Sequence, residues 1–276
     1  MTSAGTSAGT SAGTSVGTFR RYVALGDSFT EGCGDPDPSR PNGLRGWADR
    51  FAEVLSTQRG LGADGFGYAN LAIRGRKLQQ IIDEQLNAAL ALRPDLVTIY
   101  AGANDIMRPK VDLENLASSY DDAIGNLAEN GAKVVMFTAF DPGHTRVHGP
   151  FRGRWALYTE AVREIADRHD ATVVDYWRMR EYRSWGLWDE DRLHMNDAGH
   201  QLMAIAVLDT LGIDHHLTRL PEQPRPELSA KEARRANLAW TRTHALPWVH
   251  RRLTGRSSGD NITPKRPTLA PIAPPA

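Results

Sequence analysis

The sequence predicts an α/β domain built on a parallel sheet, and three observations carry that prediction. Five short apolar runs rich in β-branched residues read as strands covered on both faces: YVAL at 22–25, YANLAI at 68–73, DLVTIYAG at 95–102, KVVMFTAF at 133–140 and ATVVDY at 171–176. Longer amphipathic segments separate them, at about 46–58, 77–91, 113–129 and 152–169. The alternation itself is the third observation, because parallel neighbours need helical crossovers between them.

Taken in order, residues 2–17 are a four-residue repeat, TSAG three times and TSVG once. Such a segment has too little apolar surface to offset the entropy of ordering, so 1–18 reads as a disordered tail. The domain is expected over 19–215. The helix at 113–129 is closed by Asn130-Gly131, a helix-ending pair. A last helix is predicted over 196–211, with Asn196 as its N-cap and Gly212 after it. Residues 216–276 change character. LPEQPRPE is a proline-rich linker, and Ser229 with Glu232 forms a capping box that opens a helix to about Leu246. Pro247 is expected to end or kink that helix, and the chain from Gly255 onward reads as extended or disordered. Leu238, Trp240, Leu246 and Trp248 suggest that the helix docks on the body, and the tail beyond it is not expected to contribute to stability.

Composition excludes several classes. Net charge is zero, but residues 225–276 hold 10 Lys and Arg against 3 Asp and Glu, a net of +7, which leaves −7 for the rest. That segment can wrap the acidic body or bind something anionic. No nucleic-acid partner is expected. Cys33 is the single cysteine, so no intramolecular disulfide forms. No apolar run approaches the ~18 residues of a membrane helix, and the N-terminus lacks the basic start and apolar stretch of a signal peptide, so a cytoplasmic location is expected. Three motif matches carry no chemistry. GLGADG at 60–65 follows a helix and precedes a strand, the reverse of a dinucleotide site. GRSSG at 255–259 has no strand before it and no helix after it. Asn261-Ile262-Thr263 is a glycosylation acceptor without an export signal. His144 and His148 have a helical metal spacing, but Pro142, Gly143, Gly149 and Pro150 break any helix there. No metal or cofactor is expected.

The chemistry gathers at strand ends. GDSFTEG at 26–32 follows the first strand and puts Ser28 in a glycine-rich turn. A serine hydroxyl needs a base, and the base needs an orienting acceptor. DRLHMNDAGH follows the last strand and precedes the last helix, which brings His194 to the same sheet edge, with Asp191 three residues earlier on the same side of one turn. The pair also has an ordinary reading as part of the solvated acidic loop 189–191. Oxyanion donors are available from the Asn104 amide in GANDI and the Gly75 N–H in NLAIRG, although Asn and Gly favour turns for backbone reasons as well. Arg74, Arg76 and Trp188 are candidate substrate contacts, a cationic rim facing an aromatic wall.

Together GDS at 26–28, the glycine of NLAIRG, GAND at 102–105 and DRLH at 191–194 resemble the SGNH (GDSL-type) hydrolases, in the family's order, over about 20–212. The resemblance implies a flavodoxin-like three-layer α/β/α fold, five parallel strands in the order 2-1-3-4-5, here with a C-terminal helical extension. It implies hydrolysis of esters or thioesters without a cofactor. It maps the nucleophile to Ser28, the base to His194, the orienting acid to Asp191, and the oxyanion hole to the Ser28 N–H, the Gly75 N–H and Asn104. Phe29 stands where the family name has leucine and is expected to pack inward. The expected partner is a small-molecule ester, with a short acyl chain because no further apolar segment is available to cover a long one. An acyltransferase, a thioesterase or a lysophospholipase would use the same groups, and a binding module could keep the fold without the activity. A phosphate-binding flavodoxin-like protein is disfavoured by Asp27, Glu31 and Asp35 around Ser28. Oligomeric state is not legible.

Overall fold

Side chains alternate along the first strand, Tyr22 and Ala24 entering one core and Val23 and Leu25 the other. Burial on both faces is what the continuous apolar runs require. The computed structural model describes residues 18–274 except 59–60, 62–64, 109 and 146–148. The TSAG repeat, most of GLGADG, His148 and the side chain of His144 lie outside the described residues.

Strands β1 (Arg21–Gly26), β2 (Gly67–Asn70), β3 (Leu96–Tyr100), β4 (Lys133–Phe137), β5 (Thr172–Val174) and β6 (Arg266–Ala270) form one sheet in the order β5-β4-β3-β1-β2-β6. The first five are parallel, in the expected order. The sixth is a correction. It lies antiparallel on β2, with Tyr68 opposite Ala270 and Asn70 opposite Arg266, so the sheet is mostly parallel and has six strands rather than five.

Helices α1 (Ser28–Glu31) and α2 (Gly46–Leu55) follow β1. After β2, α3 (Leu78–Ile81) runs through a π turn at Ile82–Leu86 into α4 (Asn87–Ala91). Then come α5 (Ala103–Ile106), α6 (Leu113–Glu129), α7 (Arg152–Arg168) and α8 (Asp197–Leu211), the last with Asn196 and Gly212 as its caps. α2 and α8 cover one face of the sheet through Trp47, Phe51, Leu202 and Met203. α3, α6 and α7 cover the other through Leu78, Tyr120 and Trp155. The result is the three-layer arrangement.

Beyond α8 the chain forms α9 (Ala230–Trp240), a π turn at Thr241–Ala245 and α10 (Leu246–Leu253). Pro247 does not end the helix. It falls in the first turn of α10, where a missing N–H is tolerated, and the wider π turn before it absorbs the ring. α9 buries none of its residues. The tail, expected to be extended or disordered, is extended over Arg266–Ala270 and tied down. The side chains of Lys265 and Asp49 are both fully buried, with Lys265 Nζ 2.9 Å from Asp49 Oδ1, and Nζ donates to the Arg45 carbonyl at 2.6 Å. Burial pulls the Lys265 ammonium below its usual pKa, against the opposing pull of Asp49. The Arg266 guanidinium lies 5.6 Å from the centre of the Tyr68 ring, and Ile272 is buried. Pro267 and Pro271 hide this strand from pattern reading, yet proline is compatible with an edge strand, where an N–H can face solvent.

Candidate active site

The strand order reverses between β1 and β3, which opens a crevice at the carboxyl ends of the strands, and Ser28 stands there as the first residue of α1. Asp27 caps that helix, its Oδ1 accepting from the Phe29 N–H at 3.0 Å. Phe29 packs against Tyr100, with ring centres 4.3 Å apart, and against Phe137 at 5.4 Å. This aromatic packing pins the turn. Among the described residues, neither the N–H nor the hydroxyl of Ser28 has a hydrogen-bond partner. The N–H is therefore available to an oxyanion.

The opposite side is a tight loop. Trp188 pairs with Met195 across its base, and the Asp189 N–H donates to the His194 carbonyl at 2.8 Å. Arg192 turns the loop at a φ of 58°. Asp191 Oδ1 accepts from the Leu193 and His194 N–H groups, both at 2.9 Å, and Oδ2 accepts from His194 Nδ1 at 2.5 Å. Burial alone would raise the Asp191 carboxyl, but the bond and charge of His194 and the two backbone donors hold it at about 2. With Nδ1 donating to the carboxylate, Nε2 is the nitrogen left to accept a proton. Gly34 makes this loop's approach possible. Its φ is +94°, and a Cβ there would lie 2.1 Å from the Met195 carbonyl oxygen and 3.0 Å from His194 Cβ.

Ser28, His194 and Asn104 line one cleft of about 70 Å³, with Phe29, Phe140 and Trp188 among its apolar walls. The hydrogen bond between Ser28 and His194 is not formed here, a separation common in unliganded hydrolases. The Asn104 amide donates to Asp27 Oδ2 at 2.8 Å and to the Arg76 carbonyl at 3.0 Å. Asp27 is 2% exposed. Burial pushes its carboxyl up to about 7, against the Phe29 N–H, the nearby His194 and the Asn104 amide. Its double task, capping the helix that begins at Ser28 and holding Asn104, was missed in the sequence. The signal was present, since aspartate immediately before a helix is a preferred cap. His200 was likewise unassigned. It is buried, its Nδ1 accepting from the Trp47 N–H at 3.1 Å and its Nε2 donating to the Cys33 carbonyl at 3.0 Å. Burial lowers it to about 4, so it is a neutral structural link.

Other expected contacts lie elsewhere. Gly75 is not among the residues that line the cleft. A Cβ on it, at a φ of +77°, would lie 2.3 Å from the Ser257 hydroxyl. Arg74 binds the buried Glu31 through Nη2 to Oε1 at 2.6 Å, and Arg76 binds Glu84 at 2.8 Å and approaches Asp260 at 3.7 Å. The expected cationic rim is thus offset by carboxylates. Trp188 does line the cleft, its Nε1 donating to the Tyr182 carbonyl at 2.8 Å. The C-terminal extension meets the loop that carries His194 at Arg192, and meets the chain beside Gly75 at Arg74. Arg192 Nη1 donates to Asn237 Oδ1 at 2.8 Å and its guanidinium lies 4.9 Å from the Trp240 ring centre. Ser257 Oγ donates to the Arg74 carbonyl at 3.4 Å.

Acyl transfer to water asks for a hydroxyl, a base held in one tautomer and donors for the developing oxyanion, and the class that follows is an ester-cleaving serine hydrolase. The model of the GDSL-like lipase/acylhydrolase family matches residues 24–202. The chain belongs to that family. Solved structures agree on the fold. A single-substitution variant of Axe2, an acetyl-xylooligosaccharide esterase from Geobacillus stearothermophilus, superposes with a TM-score of 0.61 at 21% identity, covering 74% of this chain and 99% of its own. Axe2 itself, described as an acetylxylan esterase, gives 0.59 at 22% identity over 72% and 97%. LAE5, an α/β hydrolase from the metagenome of Lake Arreo in Spain, gives 0.58 at 22% identity over 70% and 95%. No curated protein matches the sequence significantly.

Proposed function

We propose that the chain hydrolyses short-chain carboxylic esters, acetyl to butyryl, through an acyl-enzyme on Ser28. His194 Nε2 takes the Ser28 proton as the hydroxyl attacks the acyl carbon. Asp191 holds the imidazole and balances the imidazolium. The oxyanion is met by the Ser28 N–H and by the Asn104 amide, which exchanges the Arg76 carbonyl for it while Asp27 keeps the amide aimed. His194 then protonates the leaving alcohol, and a water repeats the sequence to release the acid. The observation that carries this reading is the 2.5 Å Asp191–His194 pair, whose histidine lines one cleft with Ser28. The size of that cleft supports a short acyl group. At about 70 Å³ it is far below the ~300–1,000 Å³ of drug-sized pockets. The esterases similar in fold are described as acting on acetylated xylo-oligosaccharides or xylan, and a small acyl group on a sugar or polyol suits a shallow aromatic-walled cleft.

The test is a p-nitrophenyl ester series from two to twelve carbons, with fluorophosphonate labelling. Turnover should peak at the short end, and label should attach to Ser28. Ser28→Ala and His194→Ala should each abolish turnover, with little further loss in combination. Asn104→Ala should cost roughly 10²–10³-fold in kcat. A Ser28→Ala protein that retains esterase activity ends this reading, and a peak at long acyl chains ends the short-chain assignment.

A further inference from the structure

The helical arm has one face against the body and one face on nothing. Ala233, Ala236, Trp240, His244, Trp248 and Arg251 are partly covered, and their spacing of three, four, four, four and three residues marks a single side of the helix. That side is where Arg192 meets Asn237 and Trp240. The outer side carries Leu238, Leu246, Val249 and Leu253, exposed by 52%, 56%, 41% and 82%. Eight residues at α pitch would leave Leu246 roughly 80° out of line with Leu238. The wider π turn at Thr241–Ala245 takes up most of that rotation, so the apolar positions form one stripe. Lys231, Arg234, Arg235 and Arg242 are exposed on the same side, and among the described residues none of them forms an ion pair. Residues 230–256 hold seven Lys and Arg against a single acidic residue, Glu232.

We infer that the outer face of the arm docks on an anionic lipid bilayer, its lysine and arginines on headgroup phosphates and its Leu238, Leu246, Val249 and Leu253 side chains in the acyl boundary. A helix with cations and aliphatic side chains on one free face, and no length to span, lies in the interface plane. Among the described residues no helix is long and apolar enough to cross a membrane. Other occupants fit less well. A second copy of the same face would set cation against cation. A nucleic acid would satisfy the arginines but leave the leucines in water, and both tryptophans that could stack on bases are turned inward. The other side of the helix already meets the body, at Arg192. The inference is independent of the chemistry at Ser28.

The experiment is sedimentation of the full chain with vesicles of phosphatidylcholine alone or with phosphatidylglycerol added, at low and high salt. Binding should be at least about tenfold tighter to the phosphatidylglycerol vesicles and should weaken with salt. Two variants separate the two halves of the face: Leu238→Ser, Leu246→Ser, Val249→Ser, Leu253→Ser together, and Arg234→Ala, Arg235→Ala, Arg242→Ala together. Each should lose at least about tenfold in vesicle binding while keeping the parent's thermal midpoint and ester turnover. The inference is overturned if no vesicle binds, if neutral and anionic vesicles bind alike, or if the serine variant binds as well as the parent. Binding to soluble heparin that is as tight as to vesicles and insensitive to the leucine substitutions also overturns it, because the partner would then be a polyanion and not a bilayer.

Discussion

Two neighbouring stretches beyond Gly212 have met opposite fates. Both are basic, and both contain proline. The arm, α9 and α10, is regular helix with its apolar side chains half in water. The tail around β6 is irregular in sequence, yet it completes the sheet and brings a fully buried ammonium to Asp49. The lesson is that regularity of pattern and contribution to stability are different properties. A helix can satisfy its own backbone anywhere. A strand cannot, so wherever it forms it is integrated with something else.

That contrast can be broken most severely by deleting 261–276. The deletion uncovers the β2 edge and leaves Asp49 as an unpaired buried charge, a loss of about 3–5 kcal/mol for the pair alone. At roughly 2–4 °C per kcal/mol for a domain of this size, the thermal midpoint should fall by about 10 °C or more in a calorimetric scan. Lys265→Met should reproduce most of that fall with the strand still present. Adding Asp49→Asn should recover part of it, because the orphaned charge is gone; a double variant no better than the single one would move the effect from the ion pair to the packing of β6.

Excising the arm sharpens the other side. Replacing 230–253 by a Gly/Ser linker of equal length should cost no more than about 1 kcal/mol, or roughly 2–4 °C in the midpoint, since exposed contacts of the Arg192 kind contribute in that range. A shift comparable to the tail deletion would show that the inward tryptophans carry stability after all. A pH-dependent contribution lies in the cleft itself. Asp27, held at about 7 in the fold, keeps a proton that the unfolded chain releases near its ordinary value. Its contribution to stability should therefore decline as pH rises from about 4 through about 7. Asp191, held at about 2, works in the opposite sense: its contribution is present above about 4 and is lost as pH falls toward 2. Denaturant midpoints across pH, with and without Asp27→Asn, separate the two.

Much of this was legible. The five parallel strands announced themselves as apolar runs, and α6 and α8 were bounded to the residue by Asn130-Gly131, Asn196 and Gly212. The Asp191–His194 pair followed from three-residue spacing, which the loop realises with a left-handed Arg192 rather than a helical turn. What was hidden depends on partners distant in sequence. The carboxylates that offset Arg74 and Arg76 are Glu31, Glu84 and Asp260, and nothing local marks them. β6 was hidden for the same reason, since an edge strand with one proline inside it and another just after has no alternation of its own and takes its conformation from β2.

The clasp between Lys265 and the Leu44–Asp49 region spans about 220 residues, as its contact with the Arg45 carbonyl shows. A ribosome adds residues from the amino end, so the whole parallel sheet emerges long before its last strand does. Through that interval β2 is an open edge and Asp49 a carboxylate without its counter-ion, the kind of transient surface on which nascent chains pair with one another. Sheet closure in this protein is therefore a late event in its biogenesis, and a nascent chain stalled before Lys265 would be a substrate for chaperones rather than a smaller version of the enzyme.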